Sequence, residues 1–179
     1  MSRVLIISTC AEKLHELEFV RPIKKIIEGK CDFEIKHYSK VDLSFVKIFD
    51  KIIICGTSLK DNKFMENIDA FDWLKSFNGS VLGICAGMQI LGMTFGDRLK
   101  SGPEIGFLFE EFSEEFLGIR DKQEVWHLHN NYVEFGENFD RFTNSKILQA
   151  VKYKEKEFYG VLFHPEVRQK EMILEFLKK

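Results

Sequence analysis

The 179-residue sequence has few of the features that mark linkers, disulfide frameworks or zinc clusters. It has only three prolines, no Gly/Ser-rich linker and no internal repeat, so we expect a single domain over residues 1–179. Its four cysteines, at positions 10, 31, 55 and 85, form no C-x-x-C pair, which argues against structural zinc and against disulfides.

The sequence also lacks any apolar stretch of membrane-spanning length, and the apolar run near residue 5 is too short for a signal peptide. Acidic and basic residues are interleaved and the net charge is −2, so no basic surface is available for nucleic acid or an anionic membrane. We therefore expect a cytoplasmic protein that binds neither nucleic acid nor membrane.

Apolar runs alternate with amphipathic segments along the first half of the chain. Arg3–Ser8 and Lys51–Cys55 are almost entirely apolar, which predicts strands covered on both faces. Lys13–Glu28 and Met65–Phe77 have helical spacing, and Val81–Ile84 predicts another strand. This succession predicts an α/β fold of three layers, with a largely parallel central sheet and helices on both faces.

The second half is richer in hairpin patterns, so we expect antiparallel strands there and a mixed sheet. The remaining predicted elements are strands at Asp32–Tyr38, Ile105–Glu110, Val125–Leu128, Tyr132–Phe135, Ile147–Lys152 and Phe158–Phe163, and a helix at Gln169–Leu177.

Cys85 lies between Gly83 and Gly87, where a predicted strand meets a predicted helix. Glycines on both sides allow a sharp turn with an exposed side chain at its apex, and a helix N-terminus favours a thiolate. Cys85 is therefore a candidate nucleophile, although tight strand–helix packing alone also explains a cysteine between glycines.

A second segment, ending in His164-Pro165-Glu166, offers a base and a carboxylate to orient it. If the segment is extended, residues two apart point to the same side, so Glu166 can lie behind the ring of His164. An ordinary polar turn after a strand is the alternative.

Together, GICAGMQIL and YGVLFHPEV resemble the G-x-C-x-G-x-Q and F-H-P-E blocks of class I (triad-type) glutamine amidotransferases. These domains take ammonia from glutamine and pass it to a synthase. The resemblance covers almost the whole chain and implies a Cys85–His164–Glu166 triad with glutamine as substrate. Within the family, the sequence looks most like the glutaminase subunit of a two-chain, archaeal-type GMP synthetase.

A thioester mechanism also needs N–H donors for an oxyanion. The elbow predicts Ala86 as one donor, and the loop after the third strand predicts Gly56 and Thr57. The family usually has a glycine-rich sequence in this loop, of which only Gly56 remains here. An ordinary tight turn is therefore an equally good interpretation of residues 55–58.

Gln89 follows Cys85 by one helical turn, and the resemblance implies that it contacts the substrate; an exposed glutamine on the helix is the alternative. His129 and Asn130 lie where the family often lines its glutamine pocket. His127 alternates with His129 and the pair could ligate a metal, but no third ligand appears nearby. We expect no metal and no cofactor.

The sequence contains no phosphate-binding G-x-x-x-x-G-K-[ST] loop and no room for a synthase, so a separate ammonia-accepting synthase chain is expected. Two alternatives remain. One is a stand-alone cysteine hydrolase that cuts γ-glutamyl bonds or glutamine-derived amines. The other is a degenerate regulatory subunit, which the complete triad argues against and the altered loop at residues 55–58 mildly favours.

Overall fold

The structure is a computed structural model and describes residues 2–179. Nine strands and six α-helices are assigned in this range. The strands are β1 Arg3–Ser8, β2 Asp32–His37, β3 Lys51–Ile54, β4 Ser80–Ile84, β5 Arg98–Phe116, β6 Ile119–Glu134, β7 Phe139–Arg141, β8 Ala150–Tyr153 and β9 Phe158–Val161. The helices are α1 Glu16–Phe19, α2 Arg21–Ile27, α3 Leu43–Val46, α4 Lys63–Glu66, α5 Ala86–Thr94 and α6 Lys170–Phe176.

The main sheet has seven strands in the order β2-β1-β3-β4-β9-β8-β7. The first five are parallel, while β8 and β7 are antiparallel. The carboxyl ends of β3 and β4 therefore meet at one edge of the sheet, and β9 ends beside β4. This is the edge at which ligands bind in open α/β sheets. The predicted α/β class, with a largely parallel sheet, is confirmed.

Apolar side chains cover the main sheet on both faces. Leu5 and Ile7 of β1 belong to one buried cluster, while Val4 and Ile6 belong to the other. Helix α5 packs into the first cluster, and α2 and α6 pack into the second. Because alternate residues of a strand point to opposite faces, the uniformly apolar strands are those with a helix layer on each side.

Strands β5 and β6 form a separate two-stranded sheet, a long hairpin that replaces the three short strands predicted between residues 105 and 135. The turn is Leu117-Gly118, with φ of 47° and 81°, between the paired residues Phe116 and Ile119. Charged residues and glycines along the hairpin interrupt its apolar pattern. For this reason the sequence predicted three short strands in place of two long ones.

Two predicted helices are wrong in their extent. Residues 13–28 form a short 3-10 turn, then α1 and α2, because Pro22 at the start of α2 lacks an N–H and begins a new helix. Leu14 is consequently 73% exposed instead of buried. Residues 65–77 divide into α4 and a 3-10 helix, Ile68–Ser76, at Asn67, whose side chain donates to the carbonyl of Lys63. None of the helices in residues 2–179 is long and apolar enough to span a membrane.

Candidate active site

Cys85 forms the elbow between β4 and α5, with the unusual backbone angles φ 49° and ψ −102°. The turn is possible only because Gly83 has no Cβ. A Cβ at this position would lie 2.5 Å from the carbonyl carbon of Gly87, which is too close. A Cβ on Gly87 would in turn overlap the carbonyl oxygen of Ile54 in β3. A positive φ in a residue with a side chain is strained, and such strain clusters at functional sites.

The sequence predicted an exposed side chain at the elbow, but the thiol of Cys85 is buried. Its residue is only 5% exposed, and its Sγ lies 3.6 Å from the carbonyl oxygen of Leu128 in β6. The hairpin therefore covers the elbow. The N–H of Ala86 is the first of α5 and has no acceptor within the helix, so it remains free to serve an oxyanion.

His164 and Glu166 follow β9 and lie in a turn, not in the extended segment that the sequence suggested. The Val167 N–H donates to the His164 carbonyl, and this turn brings the Glu166 Oε1 to 2.8 Å from the His164 Nδ1. The backbone N–H of His164 donates to the Trp126 carbonyl of β6 at 2.9 Å. Glu166 thus fixes the tautomer in which Nδ1 carries the proton, which leaves Nε2 available as a base.

Opposing effects act on the pKa of His164, which is almost completely buried. Burial lowers the pKa, but the nearby Glu166 carboxylate and Cys85 raise it by more than burial lowers it. The pKa of His164 therefore stands well above its usual value of 6.5. The site therefore favours the protonated form of the His164 imidazole beside the Glu166 carboxylate.

Gly56 lies against both reactive side chains. A Cβ at this position would be 2.7 Å from the His164 Cε1 and 3.3 Å from the Cys85 Cβ. The loop that follows β3 therefore reaches the elbow, and the binding of an oxyanion by Gly56 and Thr57 remains a prediction. Only a glycine allows this close approach of the backbone.

Thr9, which follows β1, holds this loop in one orientation. Its hydroxyl donates to the carbonyl oxygens of Cys55 and Gly56, at 3.0 and 3.3 Å. In a trans peptide the N–H points opposite to the C=O, so the N–H groups of Gly56 and Thr57 point away from Thr9. Neither N–H has a hydrogen-bond acceptor within residues 2–179.

A second contact holds the Thr57 side chain. Its hydroxyl donates to the Asp61 Oδ2 at 2.8 Å, and the Ala11 N–H donates to the same oxygen. Neither Thr9 nor Asp61 can be recognised as part of the site from the sequence. A threonine after a buried strand and an aspartate in a loop are too common to indicate this role.

A narrow cleft lies beside Cys85, between the loop at residues 57–62 and β6. Gln89, His129 and Asn130, the predicted substrate-binding residues, all border it. Two of them are engaged with backbone: the Gln89 Nε2 donates to the Asn131 carbonyl at 2.7 Å, and the Asn130 Nδ2 donates to the Leu59 carbonyl at 3.0 Å. Contact with a substrate remains a prediction for all three.

The imidazole of His129 has a carboxylate partner that the sequence did not reveal. Its Nε2 lies 3.0 Å from the Glu104 Oε2, and the His127 Nδ1 lies 3.2 Å from the same oxygen. The expectation that no third ligand lies near the two histidines is therefore wrong, because β5 supplies Glu104. Burial lowers the pKa of both imidazoles, to about 4 for His129.

A cysteine on a strand–helix elbow, beside a histidine that a glutamate orients, defines a cysteine-dependent hydrolase or transferase of the α/β class. The family model described as glutamine amidotransferase class-I matches residues 22–179. The chain belongs to the class-I glutamine amidotransferase family.

Curated relatives of the chain include a subunit of the glutamine-hydrolyzing GMP synthase of Pyrococcus abyssi, which is 34% identical over a match of 128 residues, with 65% of each chain covered. The protein of the same name from Methanosphaera stadtmanae is 38% identical over 98 residues, 49% of this chain and 52% of the relative. The matched stretches thus span between about half and two thirds of these relatives.

Solved structures share the fold over nearly the whole chain. A protein described as a candidate GMP synthase subunit, from Thermoplasma acidophilum, has a TM-score of 0.87 at 19% identity, covering 99% of this chain and 93% of its own. A glutamine amidotransferase from Thermotoga maritima has a TM-score of 0.71 at 19% identity, covering 99% of this chain and 81% of its own.

Proposed function

We propose that the chain is a glutaminase subunit that hydrolyses the side-chain amide of glutamine through Cys85, His164 and Glu166, and passes the ammonia to a separate synthase that makes GMP. The observation that carries the proposal is the close approach of Gly56 to both His164 and Cys85, the latter of which borders the cleft. It brings the nucleophile, the base and a loop with free N–H groups to one place.

The reaction follows from these positions. The His164 Nε2 takes the Cys85 proton, and the thiolate forms a bond to the amide carbon while the carbonyl oxygen becomes an oxyanion. The N–H groups of Ala86 and of Gly56 or Thr57 stabilise this charge. His164 then protonates the nitrogen, the C–N bond breaks, and ammonia leaves a γ-glutamyl thioester. Water, deprotonated by His164, releases glutamate and restores the thiol.

The names of the Pyrococcus abyssi and Methanosphaera stadtmanae relatives support a separate ammonia acceptor, since both are named as one subunit of a GMP synthase. The structure of the cleft supports control by that acceptor, because the hydrogen bond from Asn130 to the Leu59 carbonyl joins its two walls. A synthase that binds near the elbow and favours a more open arrangement would raise the rate by shifting the population.

The test measures ammonia and glutamate released from glutamine by the lone chain, and again with the copurified synthase and its substrates. We expect slow release alone, faster release with the synthase, and none from Cys85→Ala. Cys31→Ala is the matched control, because Cys31 precedes β2 at the edge of the main sheet.

Two results would contradict the proposal in different ways. Full activity of the lone chain that the synthase does not change would indicate a stand-alone hydrolase. No activity in either condition, together with a Cys85 that resists electrophiles, would indicate a degenerate protein without catalytic activity.

A further inference from the structure

The hairpin carries a buried cluster of metal-ligating side chains that take no part in the proton transfers assigned to Cys85 and His164. Glu104 lies on β5, and His127 and His129 lie on β6, where alternate residues share a face. His127 is 0% and His129 2% exposed. Their nitrogen atoms and the Glu104 carboxylate oxygen all lie within 4.8 Å of one another.

A β-bulge brings Glu104 to this face. Ser101 pairs with Asn131, yet Glu104 pairs with His129, so three steps along β5 match two along β6. Without the extra residue, Glu104 would pair with Leu128 and project from the opposite face, since a shift of one residue reverses every side chain. Bulges that redirect one side chain are typical of functional positions.

We propose that Glu104, His127 and His129 bind a divalent transition-metal ion, with Zn²⁺ as the representative ion. Zinc bonds to nitrogen and oxygen are about 2.0–2.2 Å long, which places tetrahedral ligand atoms about 3.3 Å apart. The Glu104 Oε2 lies 3.2 Å from the His127 Nδ1 and 3.0 Å from the His129 Nε2, so the ion fits after small shifts. Two imidazoles and one carboxylate suit zinc and its first-row neighbours.

Residues around the three ligands match the surroundings of a metal. The far nitrogen of His127, Nε2, lies 3.4 Å from the Oε1 of the buried Glu110. A carboxylate behind a ligating histidine fixes its tautomer and orientation in metal sites. Glu110 is accordingly a positioning residue.

Gln149 provides a second, independent observation. It is completely buried, its Nε2 lies 2.7 Å from the Glu104 Oε2, and its Oε1 has no hydrogen-bond partner within residues 2–179. Rotation of the amide by half a turn would direct this oxygen at the ion as a fourth ligand. The Glu104 side chain is 26% exposed, which leaves a route by which the ion can enter.

A bound ion would stabilise the strand that covers Cys85. Leu128, between the two histidines, contacts the Cys85 Sγ through its carbonyl, and the Trp126 carbonyl accepts from the His164 N–H. The ion would hold the β6 backbone that carries these two carbonyls in place, so its role is structural. The proposal does not depend on glutamine as the substrate.

The test titrates chelator-treated protein with Zn²⁺ in competition with a chromophoric chelator, and measures zinc per chain after gel filtration. We expect one ion per chain. Glu104→Gln and His129→Gln should each weaken binding at least about 100-fold, and Glu110→Gln about 10- to 100-fold. Circular dichroism checks that each variant folds.

Two control variants separate this site from adventitious binding. His37→Gln should bind zinc like the wild type, and so should Cys85→Ser, because neither residue belongs to the cluster. A Co²⁺-loaded sample should show ligand-field bands without a thiolate charge-transfer band. The proposal is overturned if the wild type takes up no zinc, if Glu104→Gln and His129→Gln bind like the wild type, or if Cys85→Ser abolishes binding.

Discussion

Gly56 lies so close to the ring of His164 that a single added methyl group would be 2.7 Å from its Cε1. The same methyl would be 3.3 Å from the Cβ of Cys85. A side chain at this position must therefore displace the His164 ring or shift the loop away from the elbow.

Gly56→Ala should reduce glutamine hydrolysis by about 100-fold or more, because a displacement of about 1 Å at reacting groups has effects of this size. The rate is measured as ammonia release under conditions in which the wild type is active. Ser58→Ala, in the same loop, is the control and should retain most of the rate. An unimpaired Gly56→Ala enzyme would show that the His164 ring does not need its observed position.

Thr9→Val should lower the rate and the stability together. Valine keeps the shape of threonine but leaves the buried carbonyls of Cys55 and Gly56 without their shared donor, which costs about 1–3 kcal/mol. The free energy of unfolding in urea and the rate of hydrolysis measure the two effects. Thr9→Ser retains the hydroxyl and should recover the rate. A variant with normal activity would mean that the loop holds its orientation without Thr9.

The strained backbone at Cys85 predicts an unusual order of stability among inactive variants. Cys85→Gly should be more stable than Cys85→Ala by about 1 kcal/mol, because glycine adopts a φ of 49° without strain. Chemical denaturation of both variants gives the difference. At ordinary positions glycine is the less stable of the two, so the usual order here would argue against a strained elbow.

Glu166→Gln should destabilise the protein more at about pH 6 than at about pH 9. The pKa of His164 is raised in the folded state, so the imidazolium–carboxylate pair contributes fully below the pKa of an unfolded histidine. That contribution is lost as the pH rises through the folded pKa. Urea unfolding of the wild type and the variant at both pH values measures it. If the difference in the free energy of unfolding between the wild type and Glu166→Gln grew towards high pH, the imidazolium–carboxylate pair would be contradicted.

The same variant also tests the assignment of roles. His164→Ala removes the base and should reduce the rate further than Glu166→Gln, which leaves the ring present but less well oriented. The reverse order would show that the two roles are wrongly assigned.

Local patterns in the sequence were sufficient to predict the parallel strands and the elbow. Cys85 could be found because Gly83 and Gly87 stand at fixed offsets from it, and strands such as β1 and β3 are uniformly apolar. The break before α2 was also readable, since Pro22 cannot continue a helix from residues 13–19. The helical spacing of apolar residues on both sides of this proline nevertheless hides the break.

Contacts between distant residues could not be predicted in this way. Glu104 is 23 positions from His127, and only the bulge in β5 directs it to the histidine face. Thr9 reaches Gly56 because β1 and β3 are neighbours in the sheet, which depends on the strand order. Such relationships arise from register and topology, and a single sequence does not display either.

The most direct test of the account is covalent labelling with a glutamine-analogue electrophile, followed by mass spectrometry of the intact and digested protein. We predict one adduct per chain on Cys85, none on Cys10, Cys31 or Cys55, and strongly reduced labelling in His164→Ala. All four thiols are buried and free, so burial alone does not select among them. An adduct on another cysteine, or ammonia release by Cys85→Ala equal to that of the wild type, would contradict the assignment of Cys85 as the nucleophile.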